Sequence, residues 1–291
     1  MKSSTTDEWV EQHLDGLDYV GLAPLIQQHV IEMLDRALQL SQSAQREDKE
    51  AIHDLRVVFK RLRAYWRLVR LIVGKPEFEA ADRRIKLVAK LLGGQRDQQV
   101  LLDSLSLISV QLTGAEKATA EQLLQQLNRS LKESRKALSI HWPTVISMLQ
   151  LERSAWQNLN CEPLKNNPLQ KGLRKSFKRQ IELSEKATKK QAGSVLRHQW
   201  RKWVKHVYYQ LNLLKNLGVK RQKKTVKRFD ELGELLGLEH DLEVLKDFLE
   251  HASFQQDSGA GIDHLILACD HYKEDLYKRI NRLAGRINKV F

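Results

Sequence analysis

The segment "IHDLRVVFKRLRAYWRLVR", residues 52–70, combines two helical patterns. Its apolar residues recur at steps of three and four, which is the repeat of a helix face that packs on a core. One position further along, a second set follows the same steps and consists of a histidine and five cations. The apolar set is Ile52, Leu55, Phe59, Leu62, Trp66 and Val69, and the basic set is His53, Arg56, Lys60, Arg63, Arg67 and Arg70. The segment predicts a helix anchored by one face, with a row of positive charge beside it.

The rest of the chain is also typical of a helical protein. Its 291 residues, 42% of them hydrophobic, can form one large core or two smaller ones. Five prolines and fourteen glycines are few for this length, and strand patterns are missing, so we expect an all-α fold. Helices are predicted at residues 22–46, 49–73, 77–92, 97–111, 115–139, 143–158, 168–191, 194–216, 220–236, 240–254 and 261–288.

Two parts of the sequence resemble each other at an offset of 144 to 145 residues. The basic helix after His53 leads to "LLGGQRD", residues 91–97, and the basic helix after His198 leads to "LLGLEHD", residues 235–241. We interpret this as a duplicated helical unit. In each copy the glycine is expected to end one helix and the aspartate to cap the next. These residues are Gly93 with Asp97 and Gly237 with Asp241.

The boundary between the copies is predicted in "NLNCEPLKNNP", residues 158–168, which contains two prolines and four asparagines. The predicted organisation is a flexible N-terminus at residues 1–9, a first helical bundle at 10–157, this linker, and a second bundle at 169–291. No apolar run of membrane-spanning length and no signal-peptide pattern is visible, so the expected compartment is the cytoplasm.

Positive charge is concentrated in two regions of the chain. Its net charge is +13, yet residues 171–228 alone contain nineteen Lys and Arg against two acidic residues, and residues 56–96 contain twelve against three. A solvated helix face normally mixes both signs, and i,i+4 pairs of glutamate with lysine are nearly absent from the basic helices. This segregation favours a polyanionic partner over an ordinary charged surface.

The sequence lacks the patterns of a catalytic site. Nucleophile motifs, glycine-rich phosphate loops and metal-ligand spacings are missing, so we expect a binding protein with no cofactor, no bound metal and no catalytic residues. Three alternatives remain open: a nucleic-acid-binding protein, a phosphohydrolase with an unrecognised metal, and a scaffold whose basic faces bind acidic protein.

Five motifs, in this order, resemble those of the CHAD family, the conserved histidine α-helical domain. They are "IHDLRVVFKRLR", "LLGGQRD", "GLRKSFKR", "LRHQWRKWVKHVYYQL" and "LGELLGLEHDLEVL". The resemblance implies two pseudo-symmetric helical bundles around a basic central pore or cleft that binds inorganic polyphosphate, and localisation to polyphosphate granules. Because no strand of the triphosphate-tunnel enzymes that accompany many relatives is visible, a stand-alone binding module is expected.

Carried over by position, the resemblance implies sixteen polyphosphate-binding residues. They are His53, Arg56, Lys60, Arg61, Arg63, Arg83, Arg84, Arg174, Lys175, Lys178, Arg179, His198, Arg201, Lys205, Lys227 and Arg228. The two histidines can donate a hydrogen bond to phosphate, whose charge favours the imidazolium form. The second basic helix has His206 and Tyr208 where the first has Arg61 and Arg63, which predicts a smaller contribution from the second copy.

Overall fold

A computed structural model of the chain describes residues 19–45, 48–93, 96–137, 140–160, 168–189, 192–219, 223–253 and 259–289. The described residues contain helices and no strands, which confirms the all-α prediction. The helices are α1 (Tyr19–Ala44), α2 (Lys49–Leu91), α3 (Arg96–Ser109), α4 (Gly114–Ala137), α5 (Trp142–Gln157), α6 (Pro168–Ala187), α7 (Ser194–Asn216), α8 (Lys223–Ser253) and α9 (Gly259–Asn288). Within this part of the chain, none is long and apolar enough to cross a bilayer. The predicted N-terminus at 1–9 and residues 161–167 of the predicted linker lie outside the described residues.

Helix α2 is a hairpin of two arms that meet at Gly74. The φ and ψ angles of Gly74 are 81° and 173°, a backbone conformation that favours glycine. Beyond the bend, Asp82 accepts a hydrogen bond of 2.8 Å from Nε of Arg63. In a continuous helix these two residues would be about 28 Å apart along the axis. The arms 49–73 and 75–91 therefore fold back on each other, close to the predicted break at Gly74.

Both basic helices bury the apolar set predicted for them. The exposed fraction is at most 3% for Leu55, Phe59, Leu62, Trp66 and Val69 of α2, and for Trp200, Val204, Val207, Leu211 and Leu214 of α7. Ile52 is half-buried. The two helices contact each other, and the buried amide of Gln210 in α7 donates to the carbonyl of Ala64 in α2 over 2.9 Å. Because the basic sets lie one position along from these apolar sets, the packing holds them close together.

Helices from before and after residue 158 are packed together throughout the molecule. Besides the α2–α7 contact, α3 packs against α8, α4 packs against α9, and α6 packs against α2. At Gly172 in α6 the approach to α2 is so close that a Cβ atom would overlap the carbonyl oxygen of Leu68. Helix α5 returns to pack against α1 and α2. The division into bundles at residues 158–168 stays a prediction.

The prediction of a helix end at Gly237 is wrong. Helix α8 runs without a break from Lys223 to Ser253, and Asp241 lies inside it instead of capping a new helix. The equivalent Gly93 does follow the end of α2, and its N–H donates to the carbonyl of Lys90 over 3.1 Å. The physical difference is that "LLGGQRD" has two glycines whereas "LLGLEHD" has one, and a single glycine costs a helix only about 1 kcal/mol, which core packing exceeds. The side chain of Asp97 lies outside the described residues.

A buried glutamate joins α5 to both arms of α2. Glu152 is fully buried, and its carboxylate accepts hydrogen bonds of 2.6 Å from Nε1 of Trp66 and from Nε of Arg84. Burial raises the pKa of Glu152 above its ordinary value, and the charge of Arg84 opposes this effect. This cluster fixes the geometry of the α2 hairpin, because its donors come from opposite arms.

We predict that Glu152→Ala lowers the free energy of unfolding by about 3 kcal/mol, since it removes the nearer counter-ion of the partly buried Arg84 and the acceptor of Trp66. Glu152→Gln keeps an acceptor for Trp66 and should cause a smaller loss. Urea unfolding followed by circular dichroism measures both. Equal stability of the wild type and the alanine variant would contradict the structural role of this cluster.

Candidate anion-binding site

A cleft of about 960 Å³ lies where the first arm of α2 meets α7. The second arm of α2 and helices α8 and α9 complete its walls. Seven of the residues predicted from the sequence line it. They are His53, Arg56, Lys60 and Arg63 from α2, and His198, Arg201 and Lys205 from α7. The structure therefore brings together the two basic sets that the sequence separates by 145 residues.

Three further cations line the same cleft and were missed by the sequence analysis. They are Lys86 in the second arm of α2, Lys202 in α7 and Arg279 in α9. Lys202 is four residues after His198, so its helical position was a usable signal. Arg279 had no such signal, because it lies outside the five motifs and reaches the cleft through the packing of α9. Nothing in the sequence distinguishes Lys86 from an ordinary surface lysine, because its approach to the cleft depends on the hairpin at Gly74.

The electrostatics of the cleft show the effect of crowded positive charge. The pKa of Lys202 is lowered by burial and then by the charges of Arg63, Arg201 and Lys86. The pKa of His206 is well below its ordinary value, chiefly because of burial, so this imidazole is neutral near pH 7. Its ring packs edge-on against Trp203, with 5.6 Å between the ring centroids. A bound anion would relieve the repulsion among the cations.

Carboxylates compensate only part of this charge. Asp82 lies behind the cleft and bridges Arg63 and Lys86, with contacts of 2.8 and 2.7 Å. Burial alone would raise its pKa, but the hydrogen bond with Lys86 and the charge of Arg63 hold the pKa below the ordinary value. Glu234 lines the cleft and contacts Nζ of Lys205 at 2.6 Å. The other lining carboxylate is Asp241.

The last two cations of the basic set in α2, Arg67 and Arg70, pack against aromatic rings. The guanidinium carbon of Arg67 lies 5.5 Å from the ring centre of Phe78 and 4.8 Å from that of Trp203. Arg70 lies 4.8 Å from the same Phe78 ring. Burial and the neighbouring Arg63 lower the pKa of Arg67 to about 10. These cation–π contacts connect the α2 hairpin to α7, and neither arginine lines the cleft.

Nine of the predicted residues do not line the cleft. Arg84 is engaged with Glu152, and Arg179 pairs with Glu182 at 3.1 Å on the surface of α6. Arg61 lies near the tyrosines at positions 65, 208 and 209, whose pKa values its charge lowers against the effect of burial. The remaining six lie on the second arm of α2, on α6 and at the start of α8. They are Arg83, Arg174, Lys175, Lys178, Lys227 and Arg228.

The lining consists mainly of cations, apolar side chains and hydrogen-bond donors. Among the described residues, no group of three or more His, Cys, Asp and Glu is arranged to hold a metal ion. The aromatic residues of the lining are Phe59 and Tyr209, which are 2% and 8% exposed. Burial raises the pKa of Tyr209 to about 12, so its hydroxyl stays neutral and can donate a hydrogen bond. The cleft thus offers cations and hydrogen-bond donors for an acidic ligand.

The chain also matches a protein-family model. The CHAD domain model matches residues 28–250, a span that includes α2, α7 and almost all of α8. The chain belongs to the CHAD domain family. A search of curated proteins found no match.

We predict that Glu234→Gln strengthens anion binding, because it removes one of two lining carboxylates and releases Nζ of Lys205 from its 2.6 Å ion pair. With inorganic tripolyphosphate as the probe, the affinity should rise by about two- to fivefold at low salt. Isothermal titration calorimetry measures this change.

The matched control is Glu274→Gln, which removes an exposed carboxylate of α9 that does not line the cleft. It should leave the affinity within experimental error. An equal gain for both variants would show that only the net charge of the protein matters, and an unchanged affinity for Glu234→Gln would show that the Lys205 pair does not compete with the anion.

Proposed function

We propose that the cleft binds inorganic polyphosphate. The observation that carries this proposal is the convergence of eight cationic side chains from three helices on one cleft. They are Arg56, Lys60, Arg63, Lys86, Arg201, Lys202, Lys205 and Arg279. Membership of the CHAD domain family supports the same ligand class. A linear polyphosphate carries a dense negative charge, and its capture would release condensed counter-ions, as it does at a nucleic-acid backbone.

Arginine and lysine side chains would bind the polyphosphate chain in different ways. An arginine such as Arg56 or Arg201 can donate two hydrogen bonds to a single phosphate group, whereas lysine supplies a mobile point charge. Both side chains stand on helices that are fixed by a buried apolar face, so little ordering is required when the ligand arrives. The preorganised helices therefore favour tight binding of a charged chain.

The lining supports polyphosphate over nucleic acid, the second candidate. Proteins that hold single strands without reading sequence usually stack the bases on aromatic side chains. Phe59 and Tyr209, the aromatic residues of the described lining, are both buried, which leaves little ring surface for a base. Phosphate is therefore the part of a ligand that the cleft can recognise best.

We also propose that the fold is a pair of pseudo-symmetric bundles around this cleft. The contacts of α2 with α7, α3 with α8 and α4 with α9 support the proposal, because each pair joins segments related by the sequence offset of about 144 residues. The protein would then act as a binding module that associates with polyphosphate granules in the cytoplasm and not as an enzyme. The cations of both copies would face a single ligand.

We predict that the double variant Arg56→Ala with Arg201→Ala weakens the binding of long-chain polyphosphate by about 25-fold at 0.15 M salt, since each lost phosphate contact is worth about fivefold there. The slope of log affinity against log salt should fall by about two. Titrations at several salt concentrations measure both quantities, and circular dichroism checks that the helix content is unchanged.

The control for charge is Lys117→Ala with Arg129→Ala, which removes two exposed cations of α4 that do not line the cleft. This variant should keep the affinity within about twofold. Retention of wild-type affinity by the Arg56 and Arg201 variant at matched salt would remove the cleft from the proposed binding site.

A further inference from the structure

Two glycines lie in the interior of α8, where it forms a wall of the cleft. Gly233 and Gly237 are one helical turn apart, and both are buried and line the cleft. Opposite them lie the side chains of Lys205 and Arg201, which are also one turn apart on α7. Each glycine therefore faces one cation of the proposed binding site.

The distances show that the cations occupy the space that side chains of α8 would otherwise fill. A Cβ atom at Gly233 would lie 2.8 Å from Cε, 3.0 Å from Cδ and 3.1 Å from Nζ of Lys205. A Cβ atom at Gly237 would lie 3.4 Å from Nη2 and 3.6 Å from Nε of Arg201. The first contact requires Lys205 to move, and the second would cover one side of the guanidinium with a methyl group.

Glycine at these two positions lowers the stability of α8 relative to alanine, so its presence requires an explanation. In the interior of a helix it is less favourable than alanine, because it loses more backbone freedom on folding. The φ angles of Gly233 and Gly237 are not positive, so their backbone conformation does not require glycine. Gly172 differs, because there the main chain of another helix leaves no room for a side chain. At Gly233 and Gly237 the nearest atoms belong to the two cationic side chains.

We propose that Gly233 and Gly237 are positioning residues for anion binding, because they leave the space beside α8 in which the ammonium group of Lys205 and the guanidinium group of Arg201 lie inside the cleft. This inference rests on the proposed function for its ligand. In the first copy the repeat offset places Ala89 at the position of Gly233, and Ala89 also lines the cleft.

The decisive variant is Gly233→Ala. Displacement of Lys205 should weaken long-chain polyphosphate binding by about fivefold at 0.15 M salt and lower the salt slope by about one, which corresponds to one phosphate contact. The melting temperature should stay the same or rise by about 2 °C, because alanine favours the helix and the displaced atoms belong to a flexible side chain. A glycine needed only for packing would instead show a lower melting temperature.

Gly285→Ala is the matched control. Gly285 lies inside α9, and a Cβ atom there would meet nothing within 4 Å. This variant should gain stability in the same way and leave binding unchanged. A loss of affinity for Gly285→Ala equal to that for Gly233→Ala would overturn the positioning role.

A double-mutant cycle with Lys205→Ala separates positioning from a general structural effect. Once Lys205 is removed, Gly233→Ala should cause no further loss of affinity. The same loss in both backgrounds would show that Gly233 acts on something other than Lys205. Wild-type affinity for Gly233→Ala would overturn the inference while leaving the proposed function intact.

A measurement without ligand keeps the test independent of polyphosphate. Lys205 has a side-chain exposure of 22%, and its displacement from α8 should make it more accessible. Brief acetic anhydride labelling with peptide mass spectrometry should therefore show faster modification of Lys205 in Gly233→Ala, relative to the exposed Lys178. Unchanged labelling would contradict the positioning role, and failure of the wild type to bind polyphosphate would contradict the proposed function alone.

Discussion

The structure depends on the adjacency of an apolar face and a basic face on the same two helices. The predicted apolar sets of α2 and α7 are at most 3% exposed from Leu55 and from Trp200 onward, so each helix has a fixed rotation. The cations one position along must then point to the rim of the α2–α7 contact. Burial of the apolar faces stabilises this arrangement against the mutual repulsion of the cations. Positive charge is thus concentrated by hydrophobic packing.

Contacts elsewhere in the fold reduce the repulsion among these concentrated cations. Asp82 bridges two of the cations, Glu234 pairs with Lys205, and aromatic rings hold Arg67 away from the cleft. Even so, eight cationic side chains line the cleft, against two carboxylates among the described residues of its lining. Burial lowers the pKa of Lys202, and the charges of Arg63, Arg201 and Lys86 lower it further. A polyanion would supply the missing countercharge.

The sequence predicted what local periodicity controls and failed where tertiary contacts decide. The burial of Leu55 and Trp200 followed from helical spacing, and the break at Gly74 was predicted, although the sequence did not predict that the two arms fold back on each other. The wrong helix end at Gly237 arose because a glycine inside a helix and a glycine at its end look alike in a sequence. Lys86 could not be assigned to the cleft without the fold, because its place there depends on how the two arms of α2 meet.

The central claim is that the cleft recognises a bare phosphate chain and not merely negative charge. A salt-dependent titration with long-chain polyphosphate, run beside single-stranded RNA of equal phosphate count, tests it most directly. Tight polyphosphate binding that RNA displaces poorly at matched salt is the result that this account predicts. Equal affinity for both ligands would contradict it, since the cleft would then select for charge alone.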